Sequence, residues 1–261
     1  MKKEIKTMAL VILSIATIVL YGCTKPDNPE NGGNENEEEE YNDDENDDEN
    51  TLHLVDGTYN GHDYVDLGLP SGALWGTCNI GANAPEDYGD YFAWGETDPK
   101  TTYTWVNYKH CKDSYGTLTK YCCNSVWGYE DYSDNLTVLE AIDDKARTAW
   151  GGEWRMPTKA ECEELFANTV EDVWTTLNGV AGRLLTFANG SSIFLPAAGF
   201  YTKDEYESGE SSGYYWSSSL YTENNGIAPY NAWLLQCDGG NCRMWDFGRL
   251  NGLTIRPICI K

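Results

Sequence analysis

Apolar positions in this chain come in short runs separated by turn residues, and they take helical spacing in only two places. Residues 192–219 show the pattern most clearly. They open with Ile193-Phe194-Leu195, stopped by Pro196, and close with Tyr214-Tyr215-Trp216 running into three serines. Runs of this length between turn residues predict buried strands. The polar excursion from Lys203 to Ser212, rich in Glu, Ser and Gly, predicts a long surface loop between them that could hold a binding surface. Residues 64–70 alternate and then turn, Ala73-Leu74-Trp75 form a second run, and 88–96 set aromatics two or three apart around a small residue. All three read as strands. Residues 97–135 are polar and turn-rich with scattered Trp and Tyr. They predict a long irregular insertion, too long for a plain connector and therefore functional or locally cross-linked.

A first helix is predicted over 137–150, where Leu139, Ile142, Ala146 and Ala149/Trp150 share one stripe and Gly151-Gly152 end it. A second follows Pro157. Thr158 and Glu161 have the spacing of a capping box, and the helix runs to about Asn168 with Cys162, Leu165 and Phe166 inward. Near the end, Trp233-Leu234-Leu235-Gln236-Cys237 and Cys242-Arg243-Met244-Trp245 flank Asp238-Gly239-Gly240-Asn241, a hairpin signal. The hairpin sets Cys237 opposite Cys242 on one face, as a cross-strand disulfide or as two buried thiols.

The first 22 residues have a basic start and an apolar stretch from Met8 to Leu20, which suits the core of a secretory signal. Leu20-Tyr21-Gly22-Cys23 resembles a bacterial lipobox, with Tyr21 bulkier than usual at its position. On that reading Cys23 becomes the lipidated first residue of the mature chain, and several acyl chains hold it to a membrane. Residues 24–50 contain no aliphatic side chain and carry 13 Asp/Glu against one Lys. Such a stretch buries too little to fold, and like charges extend it, so 23–50 reads as a disordered acidic tether. An EF-hand reading of 43–50 fails for want of the sixth-position glycine and flanking helices.

Of the formal charge of −24, the first 22 residues contribute +2 and the tether −12, leaving −14 on residues 51–261. That balance argues against nucleic acid as a partner. These residues suit one domain, and the 10 Trp, 18 Tyr and 26 Gly of the chain suggest a loop-rich fold packed by aromatics. Eight cysteines besides Cys23 permit up to four disulfides, and the absence of a CxxC pair argues against a structural zinc.

Five stretches carry a family resemblance. Gly89-Asp90-Tyr91-Phe92-Ala93-Trp94-Gly95-Glu96, Trp150-Gly151-Gly152-Glu153-Trp154-Arg155-Met156-Pro157-Thr158, Phe194-Leu195-Pro196-Ala197-Ala198-Gly199-Phe200, Gly213-Tyr214-Tyr215-Trp216-Ser217-Ser218-Ser219 and Gly252-Leu253-Thr254-Ile255-Arg256-Pro257-Ile258 stand in this order. Together they resemble the Fibrobacter succinogenes major paralogous domain over about 60–261, with Pro257 where the family often has Cys. The resemblance implies an α+β, C-type-lectin-like fold shared with formylglycine-generating enzymes: two helices, small twisted antiparallel sheets and long loops. It also implies a surface lipoprotein of the Bacteroidetes type, anchored in the outer membrane and facing outward. The acidic residues soon after Cys23 approximate the export signal of such lipoproteins.

Catalytic motifs do not survive inspection. Gly209-Glu210-Ser211-Ser212-Gly213 matches a nucleophile elbow only as a string: a strand-like run follows it, and His53, His62 and His110 all lie upstream. Walker, Rossmann and HExxH patterns are absent. Cys237 and Cys242 do not align with the reactive pair of formylglycine-generating enzymes. Binding suits the composition better, because sugars lay apolar faces on Trp and Tyr. The candidates in predicted loops are Trp105, Trp127, Tyr129, Tyr132, Tyr201, Tyr206, Tyr221 and Tyr230, each also readable as packed under its own loop. Trp94, Trp154, Trp216 and Trp233 are assigned to the core. Asp87, Asp90 and Glu96 could supply oxygens to calcium, though solvated turn carboxylates are the plainer reading; no other cofactor is indicated. Arg155 and Arg256, rare charges in apolar motifs, are expected to pair with acids such as Asp144 or Glu96. The expected function is a non-enzymatic, surface-tethered lectin-like or adhesion module for extracellular glycan or protein. A structural or tip subunit of a surface assembly and a formylglycine-generating-like enzyme are the alternatives.

Overall fold

The structure is a computed structural model that describes residues 52–223 and 229–260. Cys23, the signal and the tether lie outside the described residues. In chain order the elements are β1 Gly57–Tyr59, β2 His62–Asp66, β3 Leu74–Gly76, α1 Lys145–Trp150, α2 Lys159–Ala167, β4 Thr169–Leu177, β5 Val180–Phe187, β6 Ser192–Pro196, β7 Ala198–Thr202, β8 Glu205–Gly209, β9 Ser212–Leu220, β10 Asn231–Asp238, β11 Cys242–Gly248 and β12 Ile258–Cys259. The class is α+β. The strands form three sheets, ordered β1-β2-β3-β12, β11-β10-β9-β7-β8 and β4-β5-β6. All pairings are antiparallel except β7 with β9, which run parallel at Gly199 and Gly213.

The capping box forms as its spacing predicts. Thr158 accepts the Glu161 N–H, and Glu161 accepts the Thr158 N–H at 2.8 Å. The first helix is shorter than predicted. Residues 137–139 lie against β9 instead, through Leu220 N to Thr137 O at 2.8 Å and Leu139 N to Ser218 O at 2.9 Å. Asp144 then caps a helix of only six residues by accepting Arg147 N, while its carboxylate also takes Met156 N. Leu139 is therefore buried by sheet contact, and Ile142 is 71% exposed. Two further expectations are corrected. Residues 88–96 make only an isolated bridge, Phe92 to Leu253. The excursion 203–212 is mostly strand, because β7 and β8 pair Phe200 with Glu207 and Tyr201 with Tyr206. The β4–β5 hairpin is absent from the predicted elements, although it turns at Asn178-Gly179, both at positive φ, as a tight hairpin turn requires.

The insertion is irregular as predicted, with three short 3-10 turns at Trp105–Asn107, Ser125–Trp127 and Tyr129–Asp131. It is held by burial and charge rather than by disulfides, since Cys111, Cys122 and Cys123 are free thiols. The Arg249 guanidinium is fully buried, lies over the rings of Trp94 and Tyr108 at 5.4 Å, and donates to Tyr121 O at 2.9 Å. Buried Asp143 accepts from Lys109 and Lys120 at 2.6 Å and from the Tyr121 hydroxyl at 2.8 Å. Burial pushes its carboxyl up, but those hydrogen bonds outweigh it and hold the group at about 2. Burial lowers His110 to about 4, against the opposing pull of its Gly95 O contact at 2.9 Å and of Asp143.

The segment 252–259 threads between the sheets. Tyr201 and Gly252 exchange backbone bonds at 2.8 and 2.9 Å, Trp216 N donates to Thr254 O at 3.0 Å, and Ile258 bonds Arg155 in both directions at 2.9 Å. Arg256, 1% exposed, donates to Asn79 Oδ1 at 2.8 Å, to Gly76 O at the end of β3, to Thr77 O just after it, and to Phe194 O on β6. The carboxylate pairing expected for it is not what holds it: backbone carbonyls do. Arg155 pairs with Glu161 at 2.5 Å rather than with Asp144.

Two measurements check this account. Arg256→Lys keeps the charge but loses the planar fork, so urea unfolding of the variant should show a loss of about 3 kcal/mol or more. For His110 the unfolded chain, at 6.5, takes up its proton before the folded one, at about 4. Stability from this group is therefore complete above the unfolded value and is lost as pH falls through that window. Asp143, at about 2 against 3.8, adds a further loss below its unfolded value. The melting temperature should drop between pH 7 and pH 4, and less steeply in a His110→Gln variant.

Candidate functional site

The hairpin of β10 and β11 forms with Cys237 paired to Cys242, and the two are joined in a disulfide. Side chains alternate across these strands, so the five-stranded sheet has two different faces. On one, Tyr215, Leu235, Cys237 and Cys242 pack with Cys162 and Leu165 of α2, and Met244 leans on the cluster. On the other, Trp216, Leu234 and Ala232 enter the largest core cluster, with Phe200, Tyr214 and Phe247 at its margin. The core covers only part of this second face. Toward the hairpin turn the face stays open, and Phe200, Ser208, Tyr214, Gln236, Arg243, Trp245 and Phe247 line a concave groove of about 400 Å3. That size lies within the usual range for small-ligand sites.

The groove has a firm apolar floor. Phe200 meets Tyr214 and Phe247 edge to face, each with centroids 5.0 Å apart. Trp245 stands at its side, 55% exposed, and no other ring stacks on it among the described residues. The polar groups form one cross-strand row, Tyr214–Gln236–Arg243. Gln236 Nε2 donates to the Tyr214 hydroxyl at 3.4 Å. Arg243 donates to Asp238 at 2.9 Å and to Asn241 at 2.8 Å. The Gly240 N–H, helped by Asn241 and Arg243, holds the Asp238 carboxyl below its ordinary range, so the pair is ionic. Exposed aromatic surface beside fixed hydroxyl, amide and guanidinium groups can take a ligand with one apolar face and hydrogen-bonding edges.

Of the predicted site residues, Trp105, Trp127 and Tyr230 come together. Tyr230 contacts Trp105 at 6.5 Å and Trp127 at 5.4 Å, and Tyr115, which sequence reasoning missed, joins them at 5.4 Å from Tyr230. Tyr201 and Tyr206 pair on the face of β7–β8 opposite Phe200, packed with Tyr91 and Tyr103. The Tyr91 and Tyr206 hydroxyls both donate to Ala198 O, which gives them a structural role. Tyr129 and Tyr132 line a hollow with Thr119 and Glu130, and Tyr221 packs on Trp233 at 4.8 Å. Trp94, Trp154 and Trp216 are fully buried, whereas Trp233 is only half-buried, with Lys159 over its ring at 4.3 Å. Asp87, Asp90 and Glu96 do not converge. Asp87 accepts the Asn83 and Ala84 N–H groups at 3.1 Å, Glu96 is buried against Lys100, and no cluster of three metal-ligating side chains occurs among the described residues.

The groove residues Arg243, Trp245 and Phe247 were missed as well. Their signal was the alternation along 242–248, which puts them on the face opposite Cys242 and Met244. No family model, curated protein or solved structure matches the chain.

If Trp245 serves a ligand rather than the core, Trp245→Ala should leave urea unfolding within about 1 kcal/mol of the parent. Trp216→Ala, from the same face but fully buried, should cost about 3–5 kcal/mol.

Proposed function

We propose that this chain is an outer-membrane lipoprotein, anchored through Cys23, whose C-type-lectin-like domain of the Fibrobacter succinogenes major paralogous kind binds extracellular glycan without catalysing a reaction. The observation that carries the reading is the groove on the open face of the five-stranded sheet, with exposed Trp245 beside Tyr214, Gln236 and Arg243. A sugar ring offers what such a groove accepts, one C–H face for the indole and hydroxyls for the polar row. The domain's charge of −14 keeps nucleic acid from this role. The formylglycine-generating alternative needs a free cysteine pair in a cleft. Cys237 and Cys242 are bonded to each other and sit in the packed face of the sheet.

One observation favours the assembly-subunit reading. Val106 and Val126, 78% and 76% exposed, stand next in sequence to Trp105 and Trp127, whose rings both contact Tyr115. An exposed apolar crown of this sort suits contact with another protein.

The mature chain carrying Cys23→Ser, and so free of lipid, should bind a class of oligosaccharides on a glycan array, with binding lost in Trp245→Ala. Binding to protein alone, abolished by Val106→Asp with Val126→Asp, would replace this reading with the assembly one.

A further inference from the structure

We propose that the groove selects neutral pyranose sugars without calcium, and that the Arg243–Asp238 couple enforces the choice. The inference rests on the glycan-binding reading above and names its substrate class. No carboxylate lines the groove. Asp238, the acid tied to its rim, accepts the Gly240 N–H at 2.8 Å and the Asn241 N–H at 3.3 Å through one oxygen and Arg243 through the other. Calcium takes six to eight oxygen ligands with carboxylates among them, and the groove has no such set to offer. Sugar hydroxyls must then be met by side chains directly.

Charge decides between neutral and acidic sugars. Arg243 is the cation of the groove lining. Its two terminal nitrogens already face Asp238 and Asn241, so its charge is compensated while further N–H donors remain for hydroxyl oxygens. A sugar carboxylate would have to displace Asp238 from Arg243, and Asp238 is fixed by backbone N–H groups. Glu207, paired with Phe200 across β7 and β8, adds negative charge near the rim, and the domain as a whole carries −14. Both disfavour an anion. An uncharged ring loses nothing to these fields and still gains the face of Trp245.

The test is isothermal titration of the mature Cys23→Ser chain with neutral hexose oligomers and with hexuronate oligomers of the same linkage and length, in calcium and in EDTA. Neutral oligomers should bind at least about tenfold more tightly, with unchanged affinity in EDTA. Asp238→Asn keeps an oxygen for the turn N–H groups but frees the guanidinium charge, so the preference for neutral sugar should fall about tenfold. Arg243→Gln should weaken neutral binding with no gain for uronate, at an unchanged melting temperature. Tighter uronate binding by the parent chain, loss of binding in EDTA, or an Asp238→Asn chain with the parent's selectivity would each overturn the inference and leave glycan binding standing. A chain that binds neither class would overturn both.

Discussion

Arg256 is buried among the carbonyls of Gly76, Thr77 and Phe194, and the segment that puts it there ties the domain's three sheets together. Residues 252–259 pair with β7, touch β9, meet residue 155 and end as β12 beside β3. None of the three sheets is large enough to enclose a core alone. A segment bonded to all of them substitutes for the continuous sheet that a larger domain would use. A guanidinium suits this place better than an apolar side chain, because carbonyls left facing each other in a dry interior are costly and a planar fork satisfies several at once.

That arrangement explains why the five-stranded sheet can keep one end of a face open. Its opposite face packs on α2 through Tyr215, Leu235, Cys237 and Cys242, and its strands are fixed near the centre by Thr254, which donates to Tyr214 O at 2.8 Å. The Cys237–Cys242 disulfide closes the β10–β11 hairpin at its turn, next to Arg243. Trp245 and Arg243 therefore project from backbone held on one side by the core and at the end by a covalent link. Positions held this way lose little freedom when a ligand arrives, which is the condition for useful affinity from a shallow site.

What was legible in the sequence was local. The capping box at Thr158 and Glu161 is encoded within four residues and formed as written. The Cys237/Cys242 hairpin likewise follows from its turn residues and period. The predicted first helix failed because the apolar stripe of 137–150 is satisfied in two ways. Leu139 finds β9, while Ala146 and Trp150 find the core through a helix that cannot start before its cap at Asp144. The groove was hidden for a related reason. Alternation shows that Arg243, Trp245 and Phe247 share a face, but only the path of the distant 252–259 segment and the β7–β8 hairpin decides which end of that face stays uncovered. The loop aromatics were chosen for being in loops, and one of them, Tyr206, has its hydroxyl bonded to backbone.

The few cations of this acidic domain complete the argument. Arg249 and Arg256 are buried, Arg155 is joined to Glu161, Lys109 and Lys120 converge on Asp143, and Lys100 is held by Glu96. Six of the domain's cations are thus committed to holding the insertion, the second helix and the closing segment, and the net charge of −14 leaves the surface acidic. Such a surface repels anions over distances of about 8–10 Å at physiological salt. Within that range a basic or uncharged partner is favoured over an anionic one. At the groove, the aromatic lining and the compensated Arg243 favour an uncharged ligand, on the glycan-binding reading proposed above.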